Sequence, residues 1–216
     1  MTREDAQYLH SLFWACLERE YFETASGGSF DWILDGRLLY IFFEKSDGAE
    51  DWLNNLDFFS QPYGEMAEPW YCHGGFLRVW KEILPYLKEI LANGELSCVV
   101  TVGYSHGAAL ALLCHEYLWF HRPDLRGRIF GYGFGCPRVV RGYVPRESER
   151  WRNFYVIRNI DDAVTHLPPS IFGFRHVGQL VEIGEAGKYT PIDAHRAENY
   201  LYELEKFIYD KKREEH

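Results

Sequence analysis

The chain has 216 residues, of which 47% are hydrophobic, 17% aromatic and 25% charged, with a formal net charge of −9. That size and balance suit one folded domain with a substantial core and exclude a disordered chain. The negative charge disfavours nucleic acid and anionic membrane surfaces as partners, and leaves transient contact with a neutral lipid interface open.

The five cysteines (Cys16, Cys72, Cys98, Cys114 and Cys136) form no C-x-x-C pair, so free thiols are expected rather than a disulfide scaffold. The opening stretch, MTREDAQYLHSLFWACLERE, has charges on both sides of a short apolar run, unlike a signal peptide or a membrane span. A cytoplasmic chain is expected, although a mature secreted one would read the same way.

In chain order, Thr2 with Asp5 makes a weak capping box, and Leu9, Leu12, Phe13 and Cys16 recur at helical spacing, which predicts a helix over 3–22. Two apolar runs flank Asp35-Gly36, a hairpin signal, so two antiparallel strands follow. FLRVWKEILPYLKEIL is a long amphipathic helix with Pro85 as a possible kink, closed by Asn93-Gly94. SCVVTVG reads as a central parallel strand and AALALLCHEYLWFH as a helix directly after it. RIFGYG, NFYVIRNI and FRHVGQLVEI are further strands, and AHRAENYLYELEKFIYDKKREE is a terminal helix. The alternation predicts one α/β domain over residues 1–216 with a mostly parallel sheet flanked by helices.

Between the central strand and its helix stands Gly103-Tyr104-Ser105-His106-Gly107, a G-x-S-x-G phrase in a strand–turn–helix context. That context is what a nucleophile elbow requires, with glycines where two backbones approach closely. A serine hydroxyl needs a base and an orienting carboxylate, which on this topology follow in the order Ser, Asp, His. Asp161 and Asp162 open the loop after NFYVIRN and both can serve. His195, between the last strand and the last helix, is the preferred base. His176 is its rival but falls at a strand start, and His166 is too close to Asp162 to bridge it to Ser105. His10, His115 and His121 lie on helices, away from strand ends. HEYLWFH at 115–121 lacks the i, i+4 histidine pair of a zinc protease, so neither metal nor cofactor is expected.

The blocks GYSHGAALA, FGCPRV, DDAVTHLPP, FRHVG and DAHRAENY stand in the order seen in class 3 lipases, the fungal triacylglycerol lipase-like branch of the α/β hydrolases. The chain resembles that family from about Phe43 to Tyr200. IFFEKSDGAEDWLNNLDF looks like the family's oxyanion-loop block and YCHGGFLRVW like its H-x-G-F helix start. The resemblance implies an α/β-hydrolase fold with Ser105 as nucleophile, Asp162 as acid and His195 as base. Asp162 is chosen over Asp161 because the family's D-x-V-x-x-L-P-P phrase starts there. Ser46 falls on the oxyanion residue, and the backbone N–H of His106 would be the second donor. His73, His176 and Cys136-Pro137-Arg138 are expected to be structural. The chain departs from the family at Glu44-Lys45, where the phrase carries arginine and glycine. Residues 47–72 would hold the lid, in which AEDWLNNLDFF is amphipathic.

Together these features predict a serine carboxylic-ester hydrolase acting on lipid or acylglycerol esters through an acyl-enzyme. Phospholipase A1, feruloyl-type or small-ester esterase activity is the nearest alternative. A non-catalytic lipid-binding module and a metal-dependent hydrolase are the rivals from other classes.

Overall fold

The computed structural model describes residues 1–25, 28–44, 59–64, 70–142 and 148–214. Thr2 opens α1 (Arg3–Leu17) with a full capping box: its hydroxyl accepts from the Asp5 N–H at 3.1 Å, and the Asp5 carboxylate accepts from the Thr2 N–H at 2.7 Å. The helix is shorter than the 3–22 expected. Beyond Leu17 the Tyr21 hydroxyl turns back to the Cys16 carbonyl at 2.5 Å, and Arg19 reaches Asp31 at 2.6 Å. These side chains satisfy the helix end and redirect the chain into β1 (Phe22–Glu23).

The hairpin forms as β2 (Ser29–Asp35) and β3 (Leu38–Phe43). Its turn is Gly36-Arg37, one residue beyond the expected Asp35-Gly36, because Asp35 pairs with Leu38 and Gly36 supplies the positive φ of 58°. Next come β4 (Ser60–Pro62), β5 (Tyr71–His73) and α2 (Gly74–Leu91), which continues through Pro85. The second half of the chain alternates: β6 (Cys98–Tyr104), α3 (His106–His121), β7 (Ile129–Phe134), β8 (Val140–Arg141), β9 (Phe154–Asn159), β10 (Phe174–Arg175), β11 (Gln179–Ile183) and α4 (Ala197–Glu214).

Among the described residues the main sheet runs β1-β2-β3-β6-β7-β9-β11, parallel from β3 onward. Alternate strand residues face opposite layers. Leu39, Ile41, Phe43 and Val99 pack under α2 and α3 with Phe76, Trp80, Leu84 and Leu110. Phe42, Val100, Val102 and Phe134 pack under α1 and α4 with Leu9, Phe13, Tyr200 and Leu204. The sheet therefore has helices on both faces, as expected.

A second, antiparallel sheet, β10-β8-β5-β4, was not foreseen. FRHVGQLVEI is accordingly not one strand. Phe174–Arg175 pairs with β8, and Gln179–Ile183 joins the main sheet. Gly178, at φ 84°, separates them. Of the expected lid segment 47–72, Ser60–Pro62 and Tyr71–His73 pair as β4 and β5, and Tyr63 and Trp70 are buried in the core. Residues 47–58 and 65–69 lie outside the described residues. All five cysteines are free thiols. Among the described residues, no helix is long and apolar enough to cross a membrane.

Candidate active site

Ser105 is the single residue between the end of β6 and the start of α3. Its backbone sits at φ 56°, ψ −120°, the one positive φ outside glycine among the described residues. Such a conformation costs about 1–3 kcal/mol and persists only where its surroundings enforce it. Here the Ser105 N–H donates to the Phe134 carbonyl at 2.9 Å, and the Ser105 carbonyl accepts from Ala108 N–H at 3.0 Å. The flanking glycines let backbones meet. A Cβ on Gly103 would lie 2.1 Å from the Gly107 carbonyl oxygen, and one on Gly107 would lie 2.2 Å from that of Phe43. The first turn of α3 thus rests directly on β6 and on the end of β3. The turn drives the serine hydroxyl out at the C-terminal edge of the parallel strands.

The loops after β9 and β11 supply its partners. His195 ends a short 3-10 turn (Asp193–His195) just before α4. Its Nε2 lies 2.8 Å from Ser105 Oγ, and its Nδ1 lies 2.8 Å from Asp162 Oδ2. Asp162 is fully buried and its charge is met by three donors. Besides the imidazole, Oδ2 accepts from the Tyr200 hydroxyl at 2.6 Å and Oδ1 from the Val164 N–H at 2.8 Å. The Tyr200 hydroxyl in turn accepts from Asn159 N–H at 3.1 Å. Burial beside this carboxylate raises the Tyr200 phenol well above its ordinary pKa, so it stays a donor. The Tyr104 hydroxyl donates to the His195 carbonyl, and its ring stacks on the imidazole at 5.3 Å between centroids. Gly135 leaves room for the base: a Cβ there would stand 2.8 Å from His195 Cε1.

Ser105, Asp162 and His195 are therefore brought together, and the other candidates make their contacts elsewhere. Asp161 faces away from the imidazole, accepting from backbone N–H groups at 187–189. His176 stands between β10 and β11 rather than at a strand start, and its Nε2 bonds the Thr165 carbonyl at 2.7 Å. His166 lies beside Arg138, His10 bonds Glu205 at 3.1 Å, and His115 is buried within α3. His73 stands at the N-cap position of α2 without a side-chain capping bond and packs on Phe76, 4.5 Å between ring centroids. His106 begins α3 with its side chain against Phe76, and burial lowers its imidazole to about 4, so that ring is neutral at pH 7. Glu44 follows β3, its N–H on the Ser29 carbonyl at 3.2 Å. Ser46 and Lys45 lie outside the described residues. Among the described residues no cluster of three or more His, Cys, Asp and Glu side chains could hold a metal ion.

Sequence reasoning assigned no role to Tyr200, Asn159, Tyr104 or Gly135. Tyr104, inside the G-x-S-x-G phrase, and Tyr200, closing the DAHRAENY block, carried the signal that could have found them.

The family model described as Lipase (class 3) matches residues 40–172. A secreted mono- and diacylglycerol lipase from Fusarium solani is 32% identical over 138 residues, 61% of this chain and 39% of that protein. A lipase from Rhizomucor miehei is 30% identical over 152 residues, 66% of this chain and 41% of that protein. The chain thus spans about two-fifths of the length of these curated relatives. Among solved structures, a fungal lipase–inhibitor complex described as a model for interfacial activation shares the fold. It has a TM-score of 0.71 and 19% identity, covering 90% of this chain and 94% of that one. The architecture is that of an α/β hydrolase, and with the family model spanning more than half of its residues the chain belongs to the class 3 lipases.

Proposed function

We propose that the chain, acting as one α/β-hydrolase domain, is a serine carboxylic-ester hydrolase that cleaves lipid or acylglycerol esters. The observation that carries this is the continuous hydrogen-bonded line from Ser105 Oγ through His195 to Asp162, each link 2.8 Å. Ser105 Oγ attacks the ester carbonyl carbon while His195 Nε2 takes its proton. Asp162 holds the Nδ1–H tautomer and stabilises the imidazolium. The tetrahedral oxyanion is received by the backbone N–H of His106, at the start of α3, and by Ser46. Collapse breaks the ester C–O bond; His195 returns its proton to the departing alcohol, and the acyl group stays on Ser105. Water, deprotonated by His195, then attacks the acyl-enzyme, and the carboxylic acid leaves as Ser105 regains its proton.

The substrate class is supported by the Fusarium solani relative, described as a mono- and diacylglycerol lipase, and by the Rhizomucor miehei relative, described as a lipase. Transient contact with a neutral lipid surface belongs to the same proposal. Ile171 and Ile192 are 86% and 72% exposed, on the two loops that carry Asp162 and His195. A cytoplasmic location is supported by the five free thiols. Of the expected lid 47–72, the proposal keeps 47–58, because β4 and β5 belong to the second sheet and Tyr63 and Trp70 are buried in the core.

The test is hydrolysis of a p-nitrophenyl ester series of increasing acyl length, with Ser105→Ala as control. Ester turnover should fall by about 1,000-fold or more in the variant. Free fatty acid release from acylglycerol over phospholipid should follow in the native protein. Activity retained by Ser105→Ala removes the elbow from the mechanism. Preference for phospholipid or for short acyl chains moves the substrate to a phospholipase A1 or a small-ester esterase.

A further inference from the structure

Asp161 stands beside the triad's acid with the same side chain and has no part in the proton relay. Its carboxylate is nonetheless fully engaged. Oδ1 accepts from the Gly187 N–H at 2.9 Å, and Oδ2 accepts from Lys188 N–H at 2.9 Å and Tyr189 N–H at 3.1 Å. Successive backbone donors converging on one anion form a nest, and they hold this carboxyl below the usual carboxylate range.

The three donor residues begin the segment that leads to His195. Further along, Ala163 N–H donates to the Pro191 carbonyl at 3.2 Å, and Asn159 Nδ2 donates to the Ala194 carbonyl at 3.2 Å. The Lys188 and Tyr189 side chains turn the other way, onto Glu203 of α4, at 2.5 and 2.7 Å. The dipeptide Asp161-Asp162 therefore meets the base twice. Asp162 grips the imidazole, and Asp161 grips the backbone that delivers it. Both contacts start from the turn just after β9, so a shift of the segment is a shift of His195 against its own acid.

We propose that Asp161 is a positioning residue for the base, holding segment 187–195 so that His195 stays in line with Asp162 and Ser105. This rests on the serine-hydrolase reading of that triad. A carboxylate suits the task because both of its oxygens only accept, whereas an asparagine would turn an NH2 toward part of the nest.

The experiment measures the rate of fluorophosphonate labelling at Ser105, kcat and KM for a p-nitrophenyl ester, and the melting temperature. It compares the native protein with Asp161→Ala, Asp161→Asn and Asp161→Glu. Asp161→Ala should slow labelling and lower kcat about tenfold while KM stays within about twofold, since loosening the base misaligns the reacting atoms without removing a substrate contact. Asp161→Asn should lie between Asp161→Ala and the native protein, and Asp161→Glu should recover part of the loss. Native-rate labelling in Asp161→Ala overturns the inference, as does a loss that only tracks the unfolded fraction. If Asp161→Ala melts below the assay temperature, Asp161→Asn decides by the same criteria. A native protein that fails to label at all overturns the serine-hydrolase reading itself.

Discussion

Replacing Gly107 with alanine puts a methyl group where the structure has only backbone. An ideal Cβ at that position lies 2.2 Å from the Phe43 oxygen, 2.7 Å from the Phe43 carbonyl carbon and 2.6 Å from the Glu44 oxygen. Contacts under 3.0 Å are not tolerated, and none of these atoms is the tip of a side chain that can swing aside. The start of α3 and the end of β3 must therefore part by close to ~1 Å, in an interior with no slack to absorb it. Overpacking of this kind costs about 1–3 kcal/mol, and a chain of this size loses about 2–4 °C of melting temperature per kcal/mol. The larger effect falls on catalysis, because Ser105 and the His106 N–H ride on the helix start that has to move. A displacement of about 1 Å at reacting groups costs about 100-fold in rate. Steady-state hydrolysis of a p-nitrophenyl ester and a thermal melt on the same preparation give both numbers. Gly94→Ala is the companion variant, since nothing stands within 4 Å of its Cβ, and it should leave both readouts unchanged. A Gly107→Ala protein with kcat within about threefold of native and an unchanged melt would refute the close contact between helix and strand.

Tyr200→Phe removes a hydroxyl that donates to Asp162 and accepts from Asn159 N–H, leaving a buried carboxylate one donor short. Stability in urea should drop by about 1.5–3 kcal/mol; native stability would mean the hydroxyl is dispensable. Acid should also destabilise the fold. Burial lowers His106, His115 and His176 to about 4 each, so between about 4 and 6.5 the unfolded chain binds protons that the folded one refuses. The stability they contribute is complete above about 6.5 and is lost as pH falls toward 4. Glu116, pushed up to about 7 by burial, acts in the opposite sense: it is protonated when folded and ionised when unfolded between about 4.5 and 7, so its contribution declines as pH rises through that window. Three histidines outweigh one glutamate, and the melting temperature should fall between pH 6.5 and 5, less steeply in His176→Gln. A melt that rises over that interval contradicts the assignment.

The elbow was legible because it rests on local chemistry: a β-branched strand, two glycines around a serine, then small residues that let a helix lie close. The order of acid and base was legible because a parallel sheet carries its functional loops at one edge. The residues alone left Asp161 and Asp162 open, since adjacent carboxylates differ only in which way the strand end turns them, and only the resemblance to the D-x-V-x-x-L-P-P phrase chose Asp162. The second sheet was invisible for another reason. Its strands are two or three residues long and come from separate stretches around 60–73, 140 and 174, too short for any alternation to register. In FRHVGQLVEI the apolar run hid a change of sheet, with Gly178 the one residue that marks it. The helix predicted over 3–22 failed at its end because tertiary partners, Cys16 for Tyr21 and Asp31 for Arg19, outcompeted helical propensity.

The stacking of Phe13 on Phe134, at 4.4 Å between centroids, and its contact with Tyr200 join α1 to α4 directly above the acid. The base stands 90 residues after the nucleophile, on the segment leading into α4. On a ribosome Ser105 is therefore made well before the segment that carries His195. Until that segment and α4 have docked, no imidazole stands beside the Ser105 hydroxyl. Completion of the hydrogen-bonded line from Ser105 through His195 to Asp162 is thereby tied to the meeting of α1 and α4.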